Sequence, residues 1–245
     1  MRHLTEFTKY EDAQREFSVA RLWDLVDGDK ADLNIAHEAV DRHAESGQIA
    51  VKVAHADGRD EEISFADLSR TSSQLANWLV SIGVQRGDCV GVMIDPSLAF
   101  YAALFGIVKM GAIAVPLFTL FGIDGLRARA EDCDLKLLIA SEEKADVVNQ
   151  LENTQVSIAN EDFLSALDAF SPEFAVSSRS DEYAIYQYTS GTSRAIPTAV
   201  KHSHLSVVYL MIAALYATGI RLGDKFFCPS SAAWGHGLWH GTLGP

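Results

Sequence analysis

The feature that most constrains this chain is a set of short, almost uncharged runs spaced between helical ones. Cys89–Ile94, Ala112–Val115, Leu135–Ala140 and Tyr183–Tyr188 are each four to six residues long. Runs this short are strands rather than core helices, and their apolar residues are continuous rather than alternating, as in strands covered on both faces. The intervening segments have helical spacing and their own stops. Ser64 with Asp67 forms a capping box ahead of Phe65, Leu68, Leu75, Leu79 and Ile82, and Gly83 ends that run. Ser97 caps a second helix through Met110, with Gly111 as its stop, and Asn34 caps an earlier helix through His43. Helices at about 124–132 and 144–151, a strand near Val156 and a helix over 162–169 complete the pattern. Strand–helix–strand order predicts an α/β fold with mostly parallel sheets flanked by helices. In such folds ligands bind in the loops beyond the carboxyl ends of the strands.

Charge narrows the choice of ligand. The 245 residues carry 20 Lys and Arg against 33 Asp and Glu, a formal charge of −13, with no basic run. Nucleic-acid binding needs positive charge to displace counterions, so that class is excluded. A polyphosphate ligand would have to be held by local donors. The three cysteines, Cys89, Cys133 and Cys228, form no C-x-x-C pair and no disulfide framework, which predicts a reducing, cytoplasmic setting. The start of the chain lacks the apolar stretch of a secretory signal. The apolar stretch Ala99–Phe121 is broken by Lys109, Gly111 and Pro116, so it predicts a buried helix and strand rather than a membrane span.

One strand exit has the composition for phosphate chemistry. Directly after Tyr183–Tyr188 comes Thr189-Ser190-Gly191-Thr192-Ser193, four hydroxyls around a glycine. Hydroxyl donors and a backbone free to curl into an anion nest suit phosphate oxygens, although the same residues also build ordinary turns. Arg194 and Lys201 stand close enough in sequence to add charge.

Tyr188 to Ser193, with Pro197, Ala199-Val200 and His202-Ser203-His204 behind it, resembles the signature loop of adenylate-forming, AMP-binding enzymes, among them the acyl-CoA synthetases. Three further blocks are similar to that family in the same order: Ile63–Leu68, Arg86–Val90 and Lys109–Leu117. The resemblance covers about residues 34 to 245. It implies the amino-terminal portion of an acyl-CoA synthetase-like large domain, with residues 1–33 as an extension and a subdomain break near 171–183. It also implies ATP, magnesium and CoA as co-substrates, and a small carboxylic acid as the group activated. Thr189, Ser190, Gly191, Thr192, Ser193, Arg194 and Lys201 would bind the ATP phosphates. Two departures stand out. Ser193-Arg194-Ala195-Ile196-Pro197-Thr198 is one residue longer than the family loop, with Arg194 at the second glycine and Thr198 at the lysine. The family's magnesium glutamate, ribose aspartate and catalytic lysine, with its C-terminal domain, would fall beyond Pro245. On this reading no catalytic residue is assigned, and a fragment ending there is expected to be inactive.

Phe226–Trp239 resembles the family segment that lines the acyl pocket, which implies Trp234, His236 and Gly237 as acid-binding residues. Tryptophan offers an apolar wall and histidine a polar tip. Other patterns are weaker. Gly235, Gly237 and Gly241 do not follow a strand as a dinucleotide loop requires. His236 and His240 have no third ligand partner, so no metal site is assigned. Arg86-Gly87-Asp88 reads as a turn. The expected function is AMP-forming ligation of an acid to CoA. A carrier-protein adenylating ligase and a non-catalytic nucleotide- or acyl-binding module are the alternatives. Uncovered apolar surface makes a homo-oligomer an expected assembly.

Overall fold

The computed structural model describes residues 2–188 and 198–245. The first thirty-odd residues are not a free tail. Helix α1 (Tyr10–Glu16) and short 3-10 turns bring Leu4, Phe7, Ala13, Leu22, Leu25 and Leu33 into the core, and the Tyr216 hydroxyl donates to the Leu4 carbonyl at 2.6 Å. Asn34 then begins α2 (Ile35–Ala39), its side-chain oxygen accepting from the amides of Ala36 and His37. The helix is shorter than its sequence pattern. From Asp41 to Ser46 the backbone tightens into 3-10 turns that stop at Gly47, φ +70°. Asn34 also donates to the Val108 carbonyl (3.0 Å) and to Ser178 Oγ (2.9 Å). One side chain therefore satisfies a helix end and links it to two distant segments.

Strands β1 (Ile49–Ala54) and β2 (Asp60–Ser64) form an antiparallel hairpin that the sequence reading did not anticipate. Most of their residues are exposed or half-buried, so no apolar run announces them. Helix α3 (Phe65–Ser81) starts as the capping box requires, with Ser64 Oγ accepting from the Asp67 amide at 3.0 Å. Beyond the Gly87 turn (φ +82°) comes β3 (Cys89–Met93), in which every residue is buried. Helix α4 (Leu98–Met110) is capped by Ser97 and ends at Gly111, φ +85°. It packs along α3, close enough that a Cβ on Gly106 would stand 2.7 Å from the Ser72 carbonyl.

The remaining strands and helices follow in order: β4 (Ile113–Pro116), α5 (Ile123–Asp132), β5 (Leu135–Ser141), α6 (Ala145–Val148), β6 (Gln155–Ala159) and α7 (Glu161–Leu167). After an irregular stretch come β7 (Tyr183–Tyr188), β8 (Ala199–Ser203) and α8 (Ser206–Ile212). The sheet order is β6-β5-β3-β4-β7-β8. The first five strands are parallel and β8 is antiparallel to β7. The mostly parallel, helix-flanked architecture is the predicted one. Two apolar layers pack against the sheet. One joins α3, α4 and the amino-terminal segment; the other joins α5 to Cys89, Ile113, Leu138, Tyr186 and Tyr188. No described helix is long and apolar enough to cross a membrane.

Candidate functional site

Three strands deliver side chains to the carboxyl edge of the sheet. Beyond β3, Asp95 Oδ1 accepts from Thr119 Oγ1 at 2.9 Å, which joins the exits of β3 and β4. Beyond β4, Phe118 makes edge contacts with Phe121 (centroids 6.0 Å) and with Trp234 (6.2 Å). At the end of β7, Tyr188 pairs with Ala199 of β8, so residues 189–197 run between those two strand ends. Thr189, Ser190, Gly191, Thr192, Ser193 and Arg194 lie outside the described residues.

What anchors the two strand ends is described. Asp132, the last residue of α5, accepts from the Tyr188 hydroxyl at 2.8 Å, and the same oxygen accepts from the Ala199 amide at 3.2 Å. One carboxylate thus holds both strands that flank the hydroxyl-rich segment. Burial, and then the bond to Asp132, push the Tyr188 phenol well above its ordinary pKa, so it stays a donor. The Arg129 guanidinium lies 3.9 Å from the Phe121 ring centre and 5.5 Å from that of Tyr188. This stacking gives the loop's roots a cationic flank.

Lys201 stands on β8 opposite Tyr186. Its ammonium rests 4.8 Å from the Tyr186 ring and 6.0 Å from that of Tyr183, towards the amino end of β7. The structure does not bring it together with Trp234, His236 or Gly237.

Those three residues neighbour one another in sequence and meet different partners. Gly235 leads into a wide-turned helix over His236–Leu243. Trp239 of that helix donates its indole N–H to Gln187 Oε1 at 3.1 Å and lies against the His202 ring at 4.5 Å. Because an indole can only donate, this bond fixes the amide orientation. Among the described residues, Gln187 Nε2 is then left buried and without a partner. Trp234 is 43% exposed and closes one side against Phe118, while His236 stacks on His240 at 5.4 Å. Gly237 is a close-packing position. A Cβ there would run into the carbonyl oxygens of Ser230 and Ser231. Gln187 and Trp239 are site residues that sequence reasoning missed as a pair, since 52 positions separate them. Strand alternation was the available signal: it puts Gln187 on the face opposite Tyr186 and Tyr188.

A cavity of about 490 Å³ lies elsewhere, lined by Asp27, Asn34, Asp41, Ser73 and Phe174 among others. It sits beside the end of α4 that feeds the start of β4, and so away from the strand exits. Among the described residues no group of three His, Cys, Asp or Glu side chains could hold a metal ion.

The comparisons with known proteins agree with this fold. The AMP-binding enzyme family profile matches residues 39–245. The chain belongs to that family of adenylate-forming, acyl-CoA synthetase-like enzymes. It is 27% identical over 231 residues to the acetyl-coenzyme A synthetase of Bacillus subtilis, covering 87% of this chain and 40% of that one. It is 32% identical over 163 residues to the indigoidine synthase of Streptomyces lavendulae, covering 65% of this chain and 12% of that one. The crystal structure of a Brucella canis acyl-CoA synthetase superposes with a TM-score of 0.90 at 25% identity, covering 98% of this chain and 46% of that one. The chain therefore spans less than half the length of these relatives.

Proposed function

We propose that this chain supplies the phosphate loop and part of the acid pocket of an AMP-forming acyl-CoA synthetase. The observation that carries the reading is the Trp239–Gln187 hydrogen bond. It ties the candidate acid segment to the strand that runs straight into Thr189–Arg194. Acid and triphosphate would then be held from one strand, Gln187 to the acid side and residues 189–194 to the phosphate side. The reaction joins two anions, a carboxylate and the α-phosphorus of ATP, so donors and alignment count for more than proton transfer. Gln187 Nε2, buried and without a partner among the described residues, is a donor suited to a carboxylate oxygen. Trp234 and Phe118 supply an apolar wall for its chain. Lys201 would serve the phosphates only by swinging off Tyr186. Magnesium enters with ATP as part of the substrate.

The relatives favour a second reading of the acceptor. Beside acetyl-coenzyme A synthetases stand an indigoidine synthase and a linear gramicidin synthase. A carrier protein is therefore the alternative to CoA. The test is acid-dependent exchange of pyrophosphate into ATP with the protein carrying this chain, followed by transfer to CoA or to a carrier protein. Replacing Thr192 and Ser193 together by alanine is expected to slow exchange at least tenfold, since one preorganised donor is worth about 10²–10³ in rate. An unchanged rate removes the loop from the site. ATP binding with no exchange for any acid would instead favour a non-catalytic nucleotide-binding module.

A further inference from the structure

The carboxyl end of α5 bears a charged group that the acid and phosphate assignments leave unused. Leu126 and Ala130 are buried in the apolar cluster that also holds Tyr186 and Tyr188, so α5 is packed against β7. Two residues beyond Ala130, Asp132 lies exposed, yet its Oδ2 is given over to protein donors. It accepts from the Tyr188 hydroxyl at 2.8 Å and from the Ala199 amide at 3.2 Å. The Arg129 carbonyl stands 3.1 Å from the same hydroxyl, so the phenol is seated on the last turn of α5. Tyr188 itself is 5% exposed. Tyr188 and Ala199 are the final pair of the β7–β8 ladder, and residues 189–198 run between them.

We propose that Asp132 is a positioning residue for ATP: a single carboxylate oxygen on α5 sets the place of the two strand ends that carry residues 189–194, and so the aim of the phosphate donors. The inference rests on the proposed function, which takes those residues as the phosphate loop. Asp132 has the same sign of charge as a triphosphate, so it acts through Tyr188 and Ala199 rather than on the ligand. The end of a strand ladder opens more easily than its middle. A post on a separate, packed helix that bonds both members of the last pair opposes that opening, and bonds to an ionised acceptor are stronger than neutral ones.

Stabilising a developing charge requires donors that are in place beforehand. A misplacement of about 1 Å at a reacting group can cost about 100-fold in rate. The acid side depends on a different contact. Gln187 precedes Tyr188 on β7, points to the opposite face of the sheet and is held by Trp239. Asp132 touches neither Gln187 nor Trp239 through a hydrogen bond; its bonds go to Tyr188 and Ala199. Losing it should therefore be felt by ATP and not by the acid, a division that general destabilisation would not produce.

The test compares Asp132→Ala, Asp132→Asn and Tyr188→Phe with the parent in acid-dependent pyrophosphate exchange, using the protein that carries this chain. Asp132→Ala should raise the KM for ATP about tenfold, the worth of a hydrogen bond to a charged group, and leave the KM for the acid at the parent value. Asp132→Asn keeps an oxygen of the same reach and should recover most of the loss. Tyr188→Phe keeps the Ala199 bond and should give a smaller rise in the same constant. Without any ATP, hydrogen exchange at the Ala199 amide should quicken in Asp132→Ala. Thermal melts check that the variants fold, and if Asp132→Ala does not, Tyr188→Phe and Asp132→Asn carry the same comparison. An unmoved KM for ATP, a rise shared equally by acid and ATP, an asparagine variant no better than alanine, or an unchanged Ala199 amide overturns the positioning role. Pyrophosphate exchange by the parent would leave the proposed function standing in each of those cases. A parent that exchanges no pyrophosphate with any acid overturns the proposed function, and the positioning role with it.

Discussion

The helix–sheet layer from Ser64 to Ser141 and the segment from His204 to Pro245 are built on different principles. In the first, α3 and α4 bring their own endings. Ser64 and Ser97 cap α3 and α4, Gly111 stops α4, and β3 and β4 are buried throughout. In the second, the turns widen over Ala213–Thr218 and His236–Leu243, and some large apolar side chains stay out: Leu222 is 86% exposed and Phe227 81%. The second still sends Val207, Val208, Leu210, Leu215, Leu238 and Leu243 into the main core, and its polar contacts run to segments outside the first, Trp239 to Gln187 and the Ile35 amide to His204. The candidate acid residues all belong to the second, so the scaffold fixes where the site is and the looser segment fixes its shape.

The largest test strikes the first layer. Lys109 is 1% exposed, and its ammonium donates to Asp41 (2.7 Å), to Ser73 Oγ (2.9 Å) and to the Ser69 carbonyl (3.1 Å), joining α4 to α3. Burial lowers its pKa and the Asp41 charge opposes that, so the charge stays because it is paired. Lys109→Ala is expected to cost about 3–5 kcal/mol, because it strips a half-buried carboxylate and two other acceptors of their donor. Chemical denaturation measures it. A loss below about 1 kcal/mol, the worth of a surface pair, would mean that the layer does not depend on this bond.

Next in size is the start of the second region. His204 is fully buried; its Nδ1 accepts from the Ile35 amide at 3.1 Å and its Nε2 has no partner among the described residues. Burial, helped by the charge of Arg86, pushes its pKa down to about 4 from 6.5. The folded value lies below the unfolded one, so between these pH values the unfolded chain binds the extra proton. Stability is therefore full above pH 6.5 and falls as the pH drops towards 4, by about 3 kcal/mol from this group. His204→Asn keeps an acceptor for Ile35 and removes the titration. Its denaturation midpoint should vary less between pH 7 and 4 than the parent's, and equal slopes would refute the assignment.

The same contrast explains what could be read in advance. Asn34, Ser64, Ser97 and Gly111 act on their own helices, so their roles were legible within a few residues of sequence. The β1–β2 hairpin and β8 were not, since partly exposed strands carry no apolar run. At the candidate site, composition marked the hydroxyl-rich segment and the Trp234–Trp239 segment. The Asp132 clamp and the Gln187–Trp239 bond remained hidden because each joins residues 52 or more positions apart. Gly237 was legible as a glycine of the acid segment, but its reason for being glycine, the Ser230 and Ser231 carbonyls, is tertiary.

That glycine provides a smaller test, confined to the second region. Gly237→Ala forces a Cβ onto two backbone carbonyls, an overpacking worth about 1–3 kcal/mol. The displacement should reach Trp239 through the following turn and leave the α3–α4 layer alone. Hydrogen exchange should therefore rise across 228–243 and stay fixed across 65–110. A uniform rise would show that the two regions unfold as one.

The smallest effect is expected at Trp234, where the two regions touch at the strand exits. Its ring meets Phe118 edge-on with centroids 6.2 Å apart, yet 43% of the residue remains in solvent. An aromatic pair is worth about 0.5–1.5 kcal/mol beyond its buried area, and exposure reduces the buried share. Trp234→Ala should therefore cost about 1 kcal/mol or less. Stability alone cannot separate a packing role from a binding one, but substrate range can. If Trp234 walls an acid pocket, its loss should raise the KM for apolar acids by roughly 10–200-fold, the worth of 1–3 kcal/mol in such a pocket, and leave the KM for ATP unchanged. A folded Trp234→Ala protein with unaltered acid preference would place the pocket away from Phe118. The exits of β3 and β4 would then be scaffold alone, and Gln187 would be the one described donor still tied to the acid.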